Sequence, residues 1–130
     1  MDFTLRILLF SCIIGVAASV RCYHCGYYKE MPDHLKRYWV TRPISKDCLK
    51  PKSSMLKSCP GGYRCGEGAV TYKGLKFYER LCVPSMACMS KARMQGLVKT
   101  LDKDLKVESF HCCTGSRCNR TPSTKLISKQ

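Results

Sequence analysis

The chain has 130 residues and a formal net charge of +14, because 23 Lys and Arg stand against 9 Asp and Glu. This length suits one domain, and long apolar runs of an ordinary core are missing. The 11 cysteines indicate a cross-linked domain of an oxidising compartment. The charge favours anionic partners such as heparan-type glycans, acidic lipid headgroups or an acidic protein face, unless it serves solubility alone, and export disfavours nucleic acid.

The N-terminus has the pattern of a secretory signal peptide over residues 1–19. Arg6 precedes an apolar stretch at 7–16, which is too short for a comfortable membrane span, and small residues follow at 17–19. A short anchor or a buried core segment is the alternative. Cleavage would start the mature chain at Val20, and the rest of the sequence predicts neither a second hydrophobic span nor a glycolipid-anchor signal. We therefore expect an extracellular protein.

The first half of the mature chain contains few clear elements. Residues 20–25 have the pattern of a first strand. A long basic excursion follows at 26–47, in which residues 39–41 have strand character. Residues 48–64 are punctuated by Pro and Gly and predict an irregular segment.

The second half carries the stronger patterns. Residues 69–72 and 75–82 alternate around Lys73-Gly74 and predict a β-hairpin. Apolar residues then recur at helical spacing, which predicts a short helix near 91–101 that packs on the sheet or binds a partner. A final strand is expected at 107–111.

Loss of Cys12 with the signal peptide leaves an even number of cysteines, which predicts a disulfide framework. Cys112 and Cys113 are adjacent and cannot easily bond each other, so they must reach in different directions. Zinc bound by Cys22, Cys25 and the 112–118 cluster is the alternative, which export disfavours. The ten remaining cysteines are Cys22, Cys25, Cys48, Cys59, Cys65, Cys82, Cys88, Cys112, Cys113 and Cys118.

Three spacings together resemble the lymphocyte-antigen-6/urokinase-receptor (LU) family of three-finger proteins: an initial Cys-x2-Cys, Cys-x5-Cys at 82–88, and a terminal Cys-Cys-x4-Cys-Asn. The resemblance covers the mature domain, residues 20–119, and leaves 120–130 as a disordered tail. It implies a small disulfide-rich, mainly β, three-finger fold with fingers near 23–58, 60–81 and 89–111, and the third has room for the helix. The implied pairs are Cys22–Cys65, Cys25–Cys48, Cys59–Cys82, Cys88–Cys112 and Cys113–Cys118.

The sequence predicts binding and not catalysis. His24, His34 and His111 belong to no recognisable catalytic signature, the few acids are scattered, and every mature cysteine is used in a bridge. No cofactor or metal is expected. Asn119 begins an Asn-Arg-Thr sequon, but the resemblance implies a structural role for this side chain.

The resemblance implies a secreted modulator of a cell-surface receptor or ion channel, with nicotinic acetylcholine receptors favoured. The alternatives are a soluble decoy for a growth-factor ligand of the transforming-growth-factor-β group and a protein bound to heparan or membrane surfaces. Exposed aromatic and basic residues are the usual anchors of an interface. The predicted fingertip contacts are therefore Tyr38, Trp39, Arg42, Tyr72, Lys73 and Lys76.

Overall fold

Strands dominate the computed structural model, which describes residues 19–38 and 42–127. The predicted signal peptide lies outside the described residues, except for Ser19, and so do Trp39 and the strand predicted at 39–41. Short 3₁₀ turns separate several of the main elements. These elements are β1 (Arg21–Tyr23), β2 (Cys25–Tyr28), α1 (Asp33–Lys36), β3 (Leu56–Ser58), β4 (Tyr63–Tyr72), β5 (Leu75–Pro84), α2 (Lys91–Leu101), β6 (Leu105–Cys113) and α3 (Ser123–Leu126).

The strands form two antiparallel sheets. β1 pairs with β3, whereas the larger sheet has the order β2-β5-β4-β6. The predicted hairpin is confirmed, since β4 and β5 pair throughout and turn at Lys73 and Gly74. Both turn residues have positive φ, 46° and 84°, as a two-residue hairpin turn of type I′ requires. The predicted first strand is instead divided at His24 into β1 and β2, which belong to different sheets.

Five disulfides join the chain at the end of the larger sheet opposite that turn, and their pairs are those that the resemblance implied. Cys65 lies opposite both Cys82 and Cys113 in the sheet, which places the bridges close together. The sulfurs of Cys22, Cys59 and Cys82 lie within 4.8 Å of one another, but each belongs to a disulfide and offers no thiolate to zinc. The predicted small, mainly β, disulfide-rich fold is confirmed.

One face of the larger sheet carries the main hydrophobic core. Val70, Phe77 and Val107 are almost fully buried there, and Leu35 of α1 packs against them. α2 has the predicted bounds, and its N-cap Ser90 accepts a hydrogen bond from the Arg93 N–H at 3.2 Å. Its partly buried apolar side chains, Met94 and Val98, pack on the same core. The helix is therefore laid against the sheet.

α2 also protects an outer strand. Within the described sheet β6 is an edge strand, whose outward N–H and C=O groups would invite pairing with another chain. The Gln95 side chain accepts a hydrogen bond from Val107 N at 2.7 Å and donates one to Leu105 O at 2.9 Å. This amide thus occupies the edge in the way that a neighbouring strand would.

Replacing Gln95 by Ala is expected to cost about 1–3 kcal/mol, because both edge groups lose their partner. The freed edge should also give concentration-dependent association, measured by light scattering alongside urea unfolding. Lys99→Ala, on an exposed position of the same helix, is the matched control. A Gln95→Ala protein as monomeric and as stable as the control would contradict the prediction.

A disordered tail was expected at 120–130, but the part that the structure describes, residues 120–127, is ordered by specific contacts. The Thr121 N–H donates to Glu67 at 3.0 Å, α3 forms, and Leu126 is only 2% exposed. The sequence of this segment is polar and basic, and the carboxylate that fixes it is 54 residues away in the chain. Residues 48–64 likewise contain β3 and short 3₁₀ turns where an irregular segment was expected.

Candidate functional site

The second face of the larger sheet carries an open groove. Tyr27 of β2 and Tyr78 of β5 lie directly opposite each other, and so do Tyr28 and Phe77 of the core. Since neighbouring residues of a strand point to opposite faces, the Tyr27–Tyr78 pair lies on the face away from the core. We call it the open face. Its groove encloses about 340 Å³ and is lined by Tyr27, Lys29, Glu30, Leu49, Gly74, Leu75, Lys76, Tyr78 and Ser123.

The groove rim carries charges without partners. Among the described residues, Lys29, Glu30 and Lys76 have no opposite charge within 4.0 Å. Burial raises the pKa of Tyr78, so its phenol stays neutral and remains a hydrogen-bond donor at physiological pH. The groove therefore combines two cations and one carboxylate, none paired within the described residues, with the phenol rings and Leu49.

A buried ion pair lies on the same face of the sheet, nearer to the disulfides than the two tyrosines are. Glu67 and Arg80 are both 0% exposed, and Arg80 Nη1 lies 2.5 Å from Glu67 Oε2. Arg80 also donates to the carbonyls of Cys48 at 2.9 Å and Leu49 at 3.4 Å. Burial lowers the pKa of Arg80, and the Glu67 carboxylate opposes that shift. The pair thereby positions Leu49, one wall of the groove.

The same pair holds the C-terminal segment. Arg80 donates to the carbonyls of Asn119 at 3.2 Å and Thr121 at 2.7 Å. Glu67 accepts hydrogen bonds from the Thr121 hydroxyl and N–H, and its Oε1 lies 2.8 Å from His111 Nε2. These contacts hold the chain just before Ser123, the opposite wall of the groove.

Asn119 is a structural residue in this arrangement. Its side chain is fully buried and accepts from Tyr23 N at 3.0 Å. Its Nδ2 donates to the carbonyls of Tyr23 and Gly66, both at 2.9 Å. A glycan on Nδ2 is incompatible with these contacts, because both of its hydrogens are used inside the protein.

At the other end of the sheet, α1, the β4–β5 turn and the loop between α2 and β6 meet. We call this contact the tip cluster, and its residues are His34, Tyr72, Lys73, Asp102 and Asp104. His34 Nε2 lies 2.8 Å from Asp102 Oδ2, and its ring packs edge-on against Tyr72. Lys73 Nζ lies 3.7 Å from Asp104 and 5.3 Å from the centre of the Tyr72 ring. The Asp104 N–H and His34 lower the pKa of Asp102, which favours its charged form. Side-chain contacts therefore join α1, the β4–β5 turn and the loop between α2 and β6.

The structure corrects two of the fingertip contacts that were predicted at residues 38–42. Tyr38 is half-buried against the core, and its hydroxyl accepts a hydrogen bond from Arg37 at 2.7 Å. Arg42 is 14% exposed and lies 3.1 Å from the Glu79 carboxylate. Burial raises the pKa of Glu79, and the Arg42 charge opposes that effect. Trp39 lies outside the described residues. Neither Tyr38 nor Arg42 is thus the free surface anchor that the sequence predicted.

The three partner contacts predicted on the β4–β5 hairpin are divided between the core and the surface. Tyr72 is only 9% exposed and belongs to the core, so the prediction that it is an exposed anchor is wrong. Lys73 is exposed at the turn but belongs to the tip cluster. Lys76 is exposed and lines the groove, and of the five predicted contacts that the structure describes it alone is both unpaired and part of this site.

Sequence reasoning missed the tyrosines of the groove and the buried ion pair beneath it. Tyr27 and Tyr78 each stand in a strand pattern, and that alternation was the available signal for a shared face. Nothing local marks Glu67 or Arg80 as buried, since both types are normally exposed. Their pairing follows from strand register, in which Glu67 lies opposite Arg80.

Comparisons with known proteins identify no relative: no family model, curated protein or solved structure matches the chain. No helix within residues 19–38 and 42–127 combines the length and apolarity needed to cross a bilayer. The class that fold and site define is a small, disulfide-rich, mainly β protein with a groove on one sheet face.

Proposed function

We propose that this chain is a secreted, non-enzymatic binding protein of the three-finger LU class, which acts on a cell-surface receptor through its open face. The groove between Tyr27 and Tyr78 carries this proposal. Its walls are fixed by disulfides and by the buried Glu67–Arg80 pair, so docking orders little of the protein. A preorganised site loses less entropy on binding and gains affinity accordingly.

Ligand-gated channels of the nicotinic acetylcholine receptor type are the first partners to test. The LU resemblance names this class, and the hairpin presents the cations Lys73 and Lys76 beside the groove. Cations at a protruding turn suit an agonist site lined by aromatic rings, whose faces attract positive charge. The mechanism would be occlusion of that site or a shift between receptor states.

A sulfated glycan at the cell surface is the second candidate, and the net charge of +14 favours it. Binding of this kind depends on the release of counterions, and it weakens steeply between about 50 and 200 mM salt. Binding through the groove rests more on desolvated aromatic and aliphatic contacts, so it should weaken less.

Lys76→Glu is expected to weaken binding to cells that display a nicotinic-type receptor about tenfold, which corresponds to about 1.4 kcal/mol. The change reverses a charge in the groove that has no acidic partner among the described residues. Labelled secreted protein is titrated onto receptor-bearing and receptor-free cells at physiological salt, and the agonist-evoked current is recorded in parallel.

Lys57→Glu on β3 is the matched control, because Lys57 is equally a surface lysine but lies in the other sheet. Cell binding is also measured after heparan chains have been removed by a lyase, which tests the glycan candidate. Equal weakening by both variants, with loss of binding after lyase treatment, would replace the receptor proposal with the glycan candidate. Absence of binding to receptor-bearing cells would refute the receptor proposal directly.

A further inference from the structure

We infer that the groove on the open face takes an extended acidic segment of the partner protein, with carboxylates at Lys29 and Lys76 and an aliphatic side chain at Leu49. The inference rests on the proposed function and specifies the chemistry that the site recognises. It uses the groove itself, and the tip cluster is not part of it.

The charge pattern of the rim selects an anionic partner. Lys29 and Lys76 have no acid within 4.0 Å among the described residues, as is true of most described lysines, but these two line one groove together with the paired tyrosines. A carboxylate brought to Lys29 or Lys76 would thus find a charge that no internal acid compensates. Glu30 at the same rim repels an acid placed beside it, so it fixes which part of the segment is acidic.

The lining of the groove requires more than charge. Tyr27 and Tyr78 form a paired aromatic surface, and Leu49 adds aliphatic area. Aromatic side chains supply large contact areas at interfaces, together with a hydroxyl for hydrogen bonding. A sulfated glycan would leave Leu49 without an apolar partner, whereas a peptide with alternating acidic and aliphatic residues satisfies both features.

Part of each outer edge of the sheet is already engaged, which favours a segment that lies on the face over one that extends the sheet. β2 is engaged at its outer edge, where Gly26 N donates to Pro43 O at 2.8 Å and Ser45 N donates to Gly26 O at 2.9 Å. The opposite edge is engaged by Gln95 at Leu105 and Val107. A partner segment would therefore bind the groove through its side chains.

The test uses the secreted protein and synthetic peptides of about nine residues, which span about 30 Å when extended. The probe alternates Glu with Leu. One comparison peptide replaces each Glu by Gln, and another replaces each Leu by Ser. A heparin octasaccharide is the alternative anion. Affinity is measured by calorimetry, and protection of individual tyrosines from nitration is measured by mass spectrometry.

The Glu/Leu probe should bind about tenfold more tightly than either comparison peptide and should protect Tyr27 and Tyr78 more than Tyr63. The double variant Lys29→Gln/Lys76→Gln should weaken its binding about tenfold. The matched control Lys57→Gln/Lys91→Gln removes the same charge from two exposed lysines outside the groove and should leave the affinity within about twofold.

Equal binding of the Gln peptide, equal loss in the control variant, or protection of Tyr27 and Tyr78 by the octasaccharide but not by the probe would each overturn the inference. The same variants are titrated onto receptor-bearing cells. If the groove variant loses cell binding but the Glu/Leu probe binds no more tightly than its comparison peptides, the inference fails while the proposed function stands. If wild-type protein binds no such cell, the proposed function fails, and the peptides still decide the chemistry of the groove.

Discussion

Replacing Arg80 by Met is expected to lower the free energy of unfolding by about 3–5 kcal/mol, because it leaves a buried charge without its partner. Glu67 is 0% exposed and lies 2.5 Å from the guanidinium in the native protein. Met fills much of the same space but donates no hydrogen bond, so the carbonyls of Cys48 and Thr121 also lose a donor. Urea unfolding with the disulfides intact, followed by circular dichroism, measures the change.

Two further variants separate the buried charge from the general effect of losing a cation. Lys106→Met removes the cation of an ion pair with Glu108 whose lysine is 57% exposed, and it should cost less than about 1 kcal/mol. The double variant Arg80→Met/Glu67→Leu should recover part of the loss, because no unpaired charge remains. An Arg80→Met protein as stable as Lys106→Met would show that the pair does not anchor the fold.

The second large effect is expected at Asn119, where replacement by Ala should cost about 2–4 kcal/mol. The side chain makes three buried hydrogen bonds, two with the backbone of Tyr23 and one with the Gly66 carbonyl. Each group left without a partner in the interior costs about 1–3 kcal/mol, although partial relaxation keeps the total below the sum. The midpoint and the slope of urea unfolding measure the loss.

Asn119→Asp is the informative companion, since its size is unchanged. Asp still accepts from Tyr23 N but cannot donate to the carbonyls of Tyr23 and Gly66, so we expect at least the loss seen with Ala. Ser116→Ala removes one exposed bond from Arg21 N at 3.1 Å and should cost less than about 1 kcal/mol. If Asn119→Asp were as stable as the wild type, the two donated hydrogen bonds would have no structural importance.

Both predictions bear on the groove. Asn119 connects β1 to β4. Arg80 binds the carbonyls of both Leu49 and Thr121, and Thr121 lies just before Ser123. Leu49 and Ser123 are walls of the groove. Buried polar contacts that fix the walls of a site keep its shape constant before a partner binds, and the proposed function requires such preorganisation.

Elements with a strong local signal were predictable. The hairpin followed from alternation around Lys73-Gly74, because few residues adopt the positive φ of a two-residue turn. α2 followed from apolar spacing and its Ser90 cap. The first strand was less predictable, since its division at His24 depends on which distant strands β1 and β2 join.

The candidate site was largely beyond local reasoning. Aromatic and basic residue types were taken as exposed anchors, but Tyr72 packs in the core and Arg42 pairs with Glu79. Burial is a property of the assembled sheet, and a side chain cannot be assigned to a face until register is known. The same reason explains why the C-terminal segment, polar in sequence, is fixed by Glu67.

The covalent character of this protein and its strongest local elements could be inferred from the order of its residues, because cysteine number, turn residues and helical spacing act over short stretches of chain. Three features became apparent only from the folded chain: the tyrosines that share the open face, the lysines that have no acidic partner among the described residues, and the meeting of Glu67 and Arg80 in the interior. Those features depend on the pairing of strands far apart in the chain, which is governed by the total free energy of packing and not by any local pattern.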